Sequence, residues 1–178
     1  MNKLPSQIYM QQVDAGLIQE DPAQRAVMTT LDKVAVELRR AHGKRVFGLR
    51  IGKTKAVEGL YLWGPVGRGK TLMTELFIEA LSDFPFQRWH FHRCRLLVLD
   101  EFFVSDIGDA MILYRLLEQL NERGVSFVST SNVPPDELYL NGLQRASFLP
   151  CIALIKRECE IIELLSAQDY RLRTLQHA

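Results

Sequence analysis

The stretch GLYLWGPVGRGKTLMTELFIEAL, residues 59–81, decides the fold. It begins with five strand-forming residues, Gly59 to Trp63, and continues through Gly64 to Thr71, which fits the pattern G-x-x-x-x-G-K-[ST]. Apolar residues then recur at helical spacing, at Leu72, Met73, Leu76, Phe77, Ala80 and Leu81. A strand, a glycine-rich turn and an amphipathic helix in this order predict a phosphate-binding loop. The alternative, an incidental glycine-rich turn, would not require these flanks.

Each part of the predicted loop has a role in binding a nucleotide. The glycines allow a tight turn that points backbone N–H groups at a phosphate, and the helix that starts near Lys70 adds its positive end. The Lys70 ammonium would reach the β- and γ-phosphates, and the Thr71 hydroxyl would ligate Mg²⁺. The predicted nucleotide-binding residues are Gly64, Pro65, Val66, Gly67, Arg68, Gly69, Lys70 and Thr71.

Two acids follow the next buried strand. The apolar run from Leu96 to Leu99 ends in Asp100 and Glu101. In nucleotide hydrolases with a phosphate loop, an acid in this place holds Mg²⁺ directly or through water, and we predict that role for Asp100. Glu101 is predicted to orient or deprotonate the attacking water. The alternative, two solvated acids at a strand end, fits poorly with the two phenylalanines that come next.

A third strand is predicted from Val125 to Thr130, and it leads into Ser131 and Asn132. Ligands in open α/β sheets bind at the carboxyl ends of the strands, so we predict that Asn132 positions the water near the γ-phosphate. An ordinary turn rich in asparagine and proline over residues 132–135 is the alternative.

Strands and helices alternate from residue 59 onward, which indicates an α/β domain with a mainly parallel sheet flanked by helices. Before this domain, Asp21 can cap a helix, Pro22 suits its first position, and Gln24 can close a capping box. Gly43 can end this helix. Residues 1–20 are interpreted as a polar lead-in.

Composition indicates one soluble globular domain, since 47% of the 178 residues are hydrophobic and the net charge is +1. This charge gives no support for a nucleic-acid partner. The three cysteines are odd in number and show no CxxC spacing, which favours a reducing compartment, and we expect a cytoplasmic protein without a transmembrane segment. His90 and His92 share one strand face, but no third ligand is evident, so a structural role is preferred over a metal site.

Four stretches together resemble the ZapE-type AAA+ ATPases, the family of a bacterial cell-division ATPase and its mitochondrial relatives in protein quality control. The stretches are GLYLWGPVGRGKT (59–71), HFHR (90–93), LLVLDEFFVSDIGDAM (96–111) and TSNVPPDELYLNGLQRASFLP (130–150). The match keeps the same order from about Asp21 to Leu175. It implies an AAA+-type P-loop NTPase fold and hydrolysis of ATP with Mg²⁺ in a ring-like homo-oligomer. It also implies action on a protein partner of the cell-division machinery.

The resemblance assigns roles to individual residues: Lys70 and Thr71 to the Walker A motif, Asp100 and Glu101 to Walker B, Asn132 to sensor 1, and Arg145 to an arginine finger. Such a finger reaches the γ-phosphate held by a neighbouring subunit. Without the resemblance, Arg145 would be interpreted as a surface arginine. Asp21 and Gln24 match an N-terminal element near the adenine, although helix capping explains both residues equally well.

The chain departs from similar proteins between HFHR and the Walker B strand, where they carry a helical segment of a few tens of residues. Only residues 93–95 stand there in this chain, too few for a parallel crossover. We therefore predict that the strand at 89–92 is missing from the sheet or runs straight into the strand at 96–100. Similar proteins also continue into a helical lid. We expect an N-terminal helical lead-in and linker over 1–58, the P-loop ATPase core over 59–165, and a truncated start of the lid, which is largely missing, over 166–178.

Three functions stay open at this point. The leading one is an ATP-hydrolysing AAA+ protein, whose activity the missing segments would impair. The second is a nucleotide-binding or interaction module that no longer hydrolyses ATP. The third is a DNA-associated ATPase related to helicase loaders, which the lack of a strongly basic stripe disfavours.

Overall fold

The computed structural model describes residues 3–43, 55–82 and 95–165. Five helices are found there: α1 (Pro5–Asp14), α2 (Pro22–Gly43), α3 (Lys70–Ala80), α4 (Ile107–Glu122) and α5 (Leu149–Glu158). The strands are β1 (Gly59–Trp63), β2 (Leu96–Leu99), β3 (Ser126–Ser131) and β4 (Cys159–Glu163), and short 3₁₀ turns span Pro135–Glu137 and Arg145–Ser147. The predicted alternation of strands and helices is confirmed.

The four strands form one parallel sheet in the order β2-β3-β1-β4. The central strands β1 and β3 approach so closely that a Cβ on Gly59 would lie 1.8 Å from the Phe127 carbonyl oxygen. Within the described residues, β2 lies at one edge of the sheet. The segment at 89–92, predicted to be missing from the sheet, falls outside the described residues. Because all four strands are parallel, their carboxyl ends lie side by side along one border of the sheet, the carboxyl edge. Ligands bind at this edge in this type of sheet.

Helices cover both faces of the sheet, as predicted for an α/β fold. On one face, α1, α2 and α3 bury a core with side chains from β1, β2 and β3. On the other face, α4 and α5 pack over the alternate side chains of the same strands, including Tyr61 and Phe127. Alternation along a strand sends neighbouring side chains to opposite faces, which is why Leu60 and Leu62 lie in the first core and Tyr61 in the second.

The start of α2 follows the prediction from Asp21 and Pro22. Oδ1 of Asp21 accepts hydrogen bonds from the backbone N–H groups of Ala23, at 2.8 Å, and Gln24, at 3.3 Å. Asp106 caps α4 in the same way, by accepting from the N–H of Asp109 at 2.9 Å. Each cap satisfies N–H groups that the first turn of a helix leaves without partners.

Residues 5–14 form a helix, α1, in the stretch for which the sequence predicts only a polar lead-in. The segment is short and rich in glutamine, so its apolar residues do not establish a helical period. Tertiary contacts determine its structure instead. Tyr9 is fully buried among residues of α2 and α3, and its hydroxyl accepts a hydrogen bond from the Asp21 N–H at 2.9 Å. That N–H is the one that a capping box between Asp21 and Gln24 would use, so α1 makes a hydrogen bond to the start of α2.

Candidate functional site

The predicted phosphate loop joins β1 to α3 at the carboxyl edge of the sheet. Gly69 precedes the first residue of α3 with φ of 87°, a conformation that side chains with a Cβ rarely adopt. A Cβ at this position would also lie 2.7 Å from Nε2 of Gln24. Because α3 begins at Lys70, its first N–H groups, which have no partners within the helix, face the loop. This is the arrangement in which a helix end and a loop backbone bind an anion together.

Lys70 links the loop to the end of β3. Its side chain is buried, and Nζ donates to the carbonyl oxygens of Gly64, at 2.7 Å, and Pro65, at 2.9 Å. Nζ also donates to Oδ1 of Asn132, at 3.1 Å. Lys70 and Asn132 are 62 positions apart in the sequence, and two separate motifs had predicted them to lie at one site. The structure brings them into direct contact.

Thr71 and Asp100 also meet, at the same edge of the sheet. Oγ1 of Thr71 donates to Oδ1 of Asp100 at 3.3 Å, and both side chains are exposed to solvent. A hydroxyl and a carboxylate oxygen are the ligand types that Mg²⁺ prefers, and Mg²⁺ usually completes its shell with water and substrate phosphates. The two residues therefore fit the predicted Mg²⁺ site.

Glu101 has an unusual backbone conformation for a residue other than glycine, with φ of 52°. The left-handed region costs such a residue roughly 1–2 kcal/mol. Here the backbone is held by β3, because the Glu101 N–H donates to Oγ1 of Thr130 at 2.9 Å and the Phe102 N–H donates to the Thr130 carbonyl at 2.6 Å. Strain of this kind is concentrated at functional sites. The Glu101 side chain itself is exposed, at the edge where the phosphate loop lies.

Tyr61 of β1 supports the segment after Asn132, a role that the sequence did not predict. Its hydroxyl donates to the carbonyl oxygen of Val133 at 3.0 Å. Burial raises the pKa of Tyr61 to about 12, so the hydroxyl stays protonated and able to donate at neutral pH. A tyrosine in a strand is an ordinary core residue by its sequence pattern, and nothing in that pattern indicates its partner 72 positions away.

Gln24, like Tyr61, makes a contact at the site that the sequence did not predict. Its side chain is buried, and Nε2 donates to the carbonyl oxygen of Arg68 in the phosphate loop at 3.0 Å. Helix α2 thereby fixes the loop backbone directly beside Gly69. For Gln24, both the capping box and a place near the adenine stay predictions beside this contact.

Arg145 lies apart from this cluster. It begins the short turn Arg145–Ser147, and Nη2 donates to the carbonyl oxygen of Asp136. Its Nε is buried and has no hydrogen-bond partner among the described residues. No hydrogen bond within the described ranges joins Arg145 to the phosphate loop or to Asp100. The structure therefore brings together Lys70, Thr71, Asp100, Glu101 and Asn132, and it leaves Arg145, which is half-buried, outside this cluster.

Other chemistries find little support in the described parts of the chain. Burial raises the pKa of the Cys151 and Cys159 thiols to about 12, so neither supplies a thiolate at neutral pH. Over residues 3–43, 55–82 and 95–165, no three His, Cys, Asp or Glu side chains group to hold a metal ion, while His90 and His92 lie outside these ranges. None of the described helices combines the length and the apolar character needed to cross a membrane.

Comparison with known proteins identifies the family. The profile of the AFG1-like ATPase family matches residues 3–95 and 93–178. The cell division protein ZapE of Escherichia coli strain K12 is 40% identical over 216 residues, an alignment that covers 98% of this chain and 58% of ZapE. The chain thus spans little more than half the length of this relative.

The same alignment shows that this chain lacks residues that ZapE has within the aligned region. The 216 aligned residues exceed the roughly 174 that make up 98% of this 178-residue chain, so ZapE carries about 42 residues without a counterpart here. The family profile divides at residues 93–95, between the HFHR stretch and β2. The two observations agree with the predicted absence of a segment at this point.

Solved structures establish the fold independently. DnaI superposes with a TM-score of 0.54 at 15% identity, covering 81% of this chain and 84% of DnaI. AMPPCP-bound DnaA from Aquifex aeolicus superposes with a TM-score of 0.54 at 11% identity, covering 90% of this chain and 52% of DnaA. At these identities the likeness shows the fold alone, a P-loop α/β domain as predicted. With the family profile matched from residue 3 to residue 178 and ZapE 40% identical across nearly the whole chain, this protein belongs to the AFG1-like ATPase family.

Proposed function

We propose that this chain binds ATP with Mg²⁺ and hydrolyses it by in-line attack of water on the γ-phosphate. The observation that carries the proposal is the convergence of three separated motifs at one edge of the sheet. Nζ of Lys70 lies 3.1 Å from Oδ1 of Asn132, and Oγ1 of Thr71 lies 3.3 Å from Oδ1 of Asp100. Positioning and electrostatic stabilisation supply most of the catalysis in this reaction class, and these contacts set the positions.

Each residue then has a distinct task. The loop N–H groups and Lys70 bind the phosphates, with Lys70 exchanging its carbonyl partners for phosphate oxygens. Thr71 and Asp100 would hold Mg²⁺, which neutralises charge on the β- and γ-phosphates when bound. Glu101 accepts the proton of the attacking water, and Asn132 orients that water from the end of β3.

Assembly and partners form the second part of the proposal. Arg145 is half-buried and lies outside its own chain's cluster, which supports a role in the site of a neighbouring copy in a homo-oligomer. ZapE is a cell division protein, and we propose that this chain likewise acts in the cytoplasm on a protein of the division machinery.

A nucleotide-binding module with little turnover is the alternative, and the absence of about 42 residues of the aligned ZapE region favours it. The two functions differ in one assay. ATP turnover per chain should rise steeply with chain concentration if an assembled hydrolase forms. It should stay near background at all concentrations, with nucleotide still bound, if the chain is a binding module.

Lys70→Ala is expected to abolish measurable ATP binding. The substitution removes a buried ammonium from the β- and γ-phosphates, and charged contacts of this kind sum to an affinity loss of roughly 100-fold or more. Titration of a fluorescent ATP analogue measures the loss. Lys33→Ala, at an exposed position of α2, is the matched control and should bind normally. If Lys70→Ala binds with unchanged affinity, the phosphate-loop assignment is wrong.

Gln24→Ala is expected to weaken nucleotide binding by about 2- to 10-fold, the equivalent of one hydrogen bond. The reason is the lost contact from Nε2 to the Arg68 carbonyl, which leaves the loop backbone less well fixed before the phosphates arrive. The same fluorescence titration measures the effect. Gln119→Ala, at an exposed position of α4, controls for loss of an amide. If the unchanged chain, Gln24→Ala and Gln119→Ala all bind with equal affinity, α2 does not hold the loop.

A further inference from the structure

Thr130 has a hydroxyl that lies between the two acids of the site. The residue is the fifth of the six in β3 and is fully buried. Its Oγ1 donates to Oδ1 of Asp100 and accepts from the backbone N–H of Glu101 at 2.9 Å. The side chains of both acids are exposed. One buried hydroxyl thus connects two exposed acids to the central part of the sheet.

The backbone next to Thr130 holds the same turn. The Phe102 N–H donates to the Thr130 carbonyl at 2.6 Å, and Oγ of Ser131 donates to the Phe102 carbonyl at 2.9 Å. Regular pairing of β2 with β3 ends one residue before Asp100, at Leu99. Beyond that point the turn depends on these contacts, and the left-handed conformation at Glu101 depends on them as well.

We propose that Thr130 is a positioning residue for ATP hydrolysis, which orients Asp100 toward Mg²⁺ and Glu101 toward the attacking water. The inference rests on the function proposed above. A threonine hydroxyl has one proton to donate and lone pairs to accept with, and both capacities are used here. Thr71 and Thr130 both donate to Oδ1 of Asp100, so Oδ2 makes no hydrogen bond within the described part of the chain. That oxygen is left available for a metal ion or its bound water.

The hydroxyl and the shape of Thr130 can be tested separately. Thr130→Val keeps the branched side chain and removes the hydroxyl, whereas Thr130→Ser keeps the hydroxyl and removes a methyl group. Partners that orient a metal-binding carboxylate typically contribute 10- to 100-fold, so Thr130→Val should lower kcat by roughly that factor and raise the Mg²⁺ concentration needed for half-maximal turnover. The KM for ATP, and ADP affinity without Mg²⁺, should stay within about twofold, because the phosphate loop is untouched.

Thr130→Ser should retain most of the turnover and of the Mg²⁺ dependence. Thr30→Val removes the hydroxyl of another buried threonine, on α2, and controls for the general cost of such a change. Wild-type kcat and Mg²⁺ dependence in Thr130→Val would overturn the proposal. An equal loss in Thr130→Ser would overturn it too, because the hydroxyl would then not be the cause.

Amide hydrogen exchange gives a readout that does not depend on turnover. The Glu101 N–H should exchange at least about tenfold faster in Thr130→Val, because it loses its acceptor, and near the wild-type rate in Thr130→Ser. Unchanged exchange in Thr130→Val would remove the basis of the proposal. If Thr130→Val does not fold, Thr130→Cys, which replaces the hydroxyl of Thr130→Ser by a weaker donor and acceptor, should show the same losses to a smaller degree relative to Thr130→Ser. A wild-type chain that binds nucleotide without hydrolysing it would contradict the proposed function itself, and this outcome is recognisable before any variant is made.

Discussion

Glu101→Gln is expected to bind ATP as tightly as the unchanged chain and to hydrolyse it roughly 10²–10⁴-fold more slowly, the usual contribution of a general base. The amide has the shape of the carboxylate but cannot accept the proton of the attacking water. The side chain of Glu101 is exposed and takes no part in the core. Its backbone N–H would still donate to Thr130, so the turn should keep its conformation.

The test needs binding and turnover on the same preparation. A fluorescent ATP analogue measures affinity, and phosphate release measures turnover under single-turnover conditions. Glu122→Gln, an exposed acid at the end of α4, is the matched control for loss of a negative charge. A wild-type rate of phosphate release from Glu101→Gln would mean that another base acts on the water.

Much of the fold was predictable because its determinants are local. Within residues 59–81, the loop is marked by the spacing of its glycines and the helix by the period of its apolar residues. The structure places β1 and α3 on either side of the loop. The apolar run Leu96–Leu99 coincides with β2, and the cap at Asp21 forms as its residue type predicts. Each of these elements depends on residues within a few positions of one another.

Helix α1 was not predictable by the same means. Its ten residues, PSQIYMQQVD, contain few apolar side chains, and their positions do not establish a helical period. The segment is helical because Tyr9 is buried in the core that α1 shares with α2 and α3, and because its hydroxyl accepts a hydrogen bond from the Asp21 N–H. Packing against α2 and α3 supplies the stability that intrinsic propensity does not.

The candidate site was also predictable only in part. Lys70, Asp100 and Asn132 could be named because each follows a strand, and parallel strands bring their carboxyl ends to one edge. The contacts that support them could not, since they join residues far apart in sequence. The Gln24 amide bonds to a carbonyl 44 positions away, and the Thr130 hydroxyl bonds to a carboxylate 30 positions away. A buried polar residue in a helix or strand gives no local sign of such a partner.

The role of Arg145 stays a prediction, and it has the largest expected effect. Arg145→Ala should leave nucleotide affinity nearly intact and lower turnover by roughly 10³–10⁵-fold, the contribution of arginine fingers in related hydrolases. A guanidinium supplied by a neighbouring copy stabilises charge that develops only in the transition state, so the rate suffers more than ground-state binding. The placement of Arg145 agrees with this, because its Nη2 contacts the Asp136 carbonyl and not its own chain's phosphate loop.

Two substitutions control for simpler causes. Arg145→Lys keeps the charge but loses the planar fork of donors, and should therefore remain strongly impaired. Arg157→Ala removes an exposed arginine of α5 that pairs with Glu158, and should retain normal turnover. Thermal melting of each variant shows whether loss of the Asp136 contact disturbs folding.

Mixing two inactive variants gives the decisive measurement. A Lys70→Ala chain cannot bind ATP but still carries Arg145, so adding it to an Arg145→Ala chain should restore part of the turnover. Rescue should rise with the proportion of Lys70→Ala chain and then fall, because each active pair needs one copy of each kind. In a chain shown to oligomerise, the absence of rescue at every ratio would leave Arg145 as an ordinary surface residue. In a chain that stays monomeric, only slow basal turnover is expected, and Arg145→Ala should not change it, because no neighbouring site exists for the guanidinium to reach.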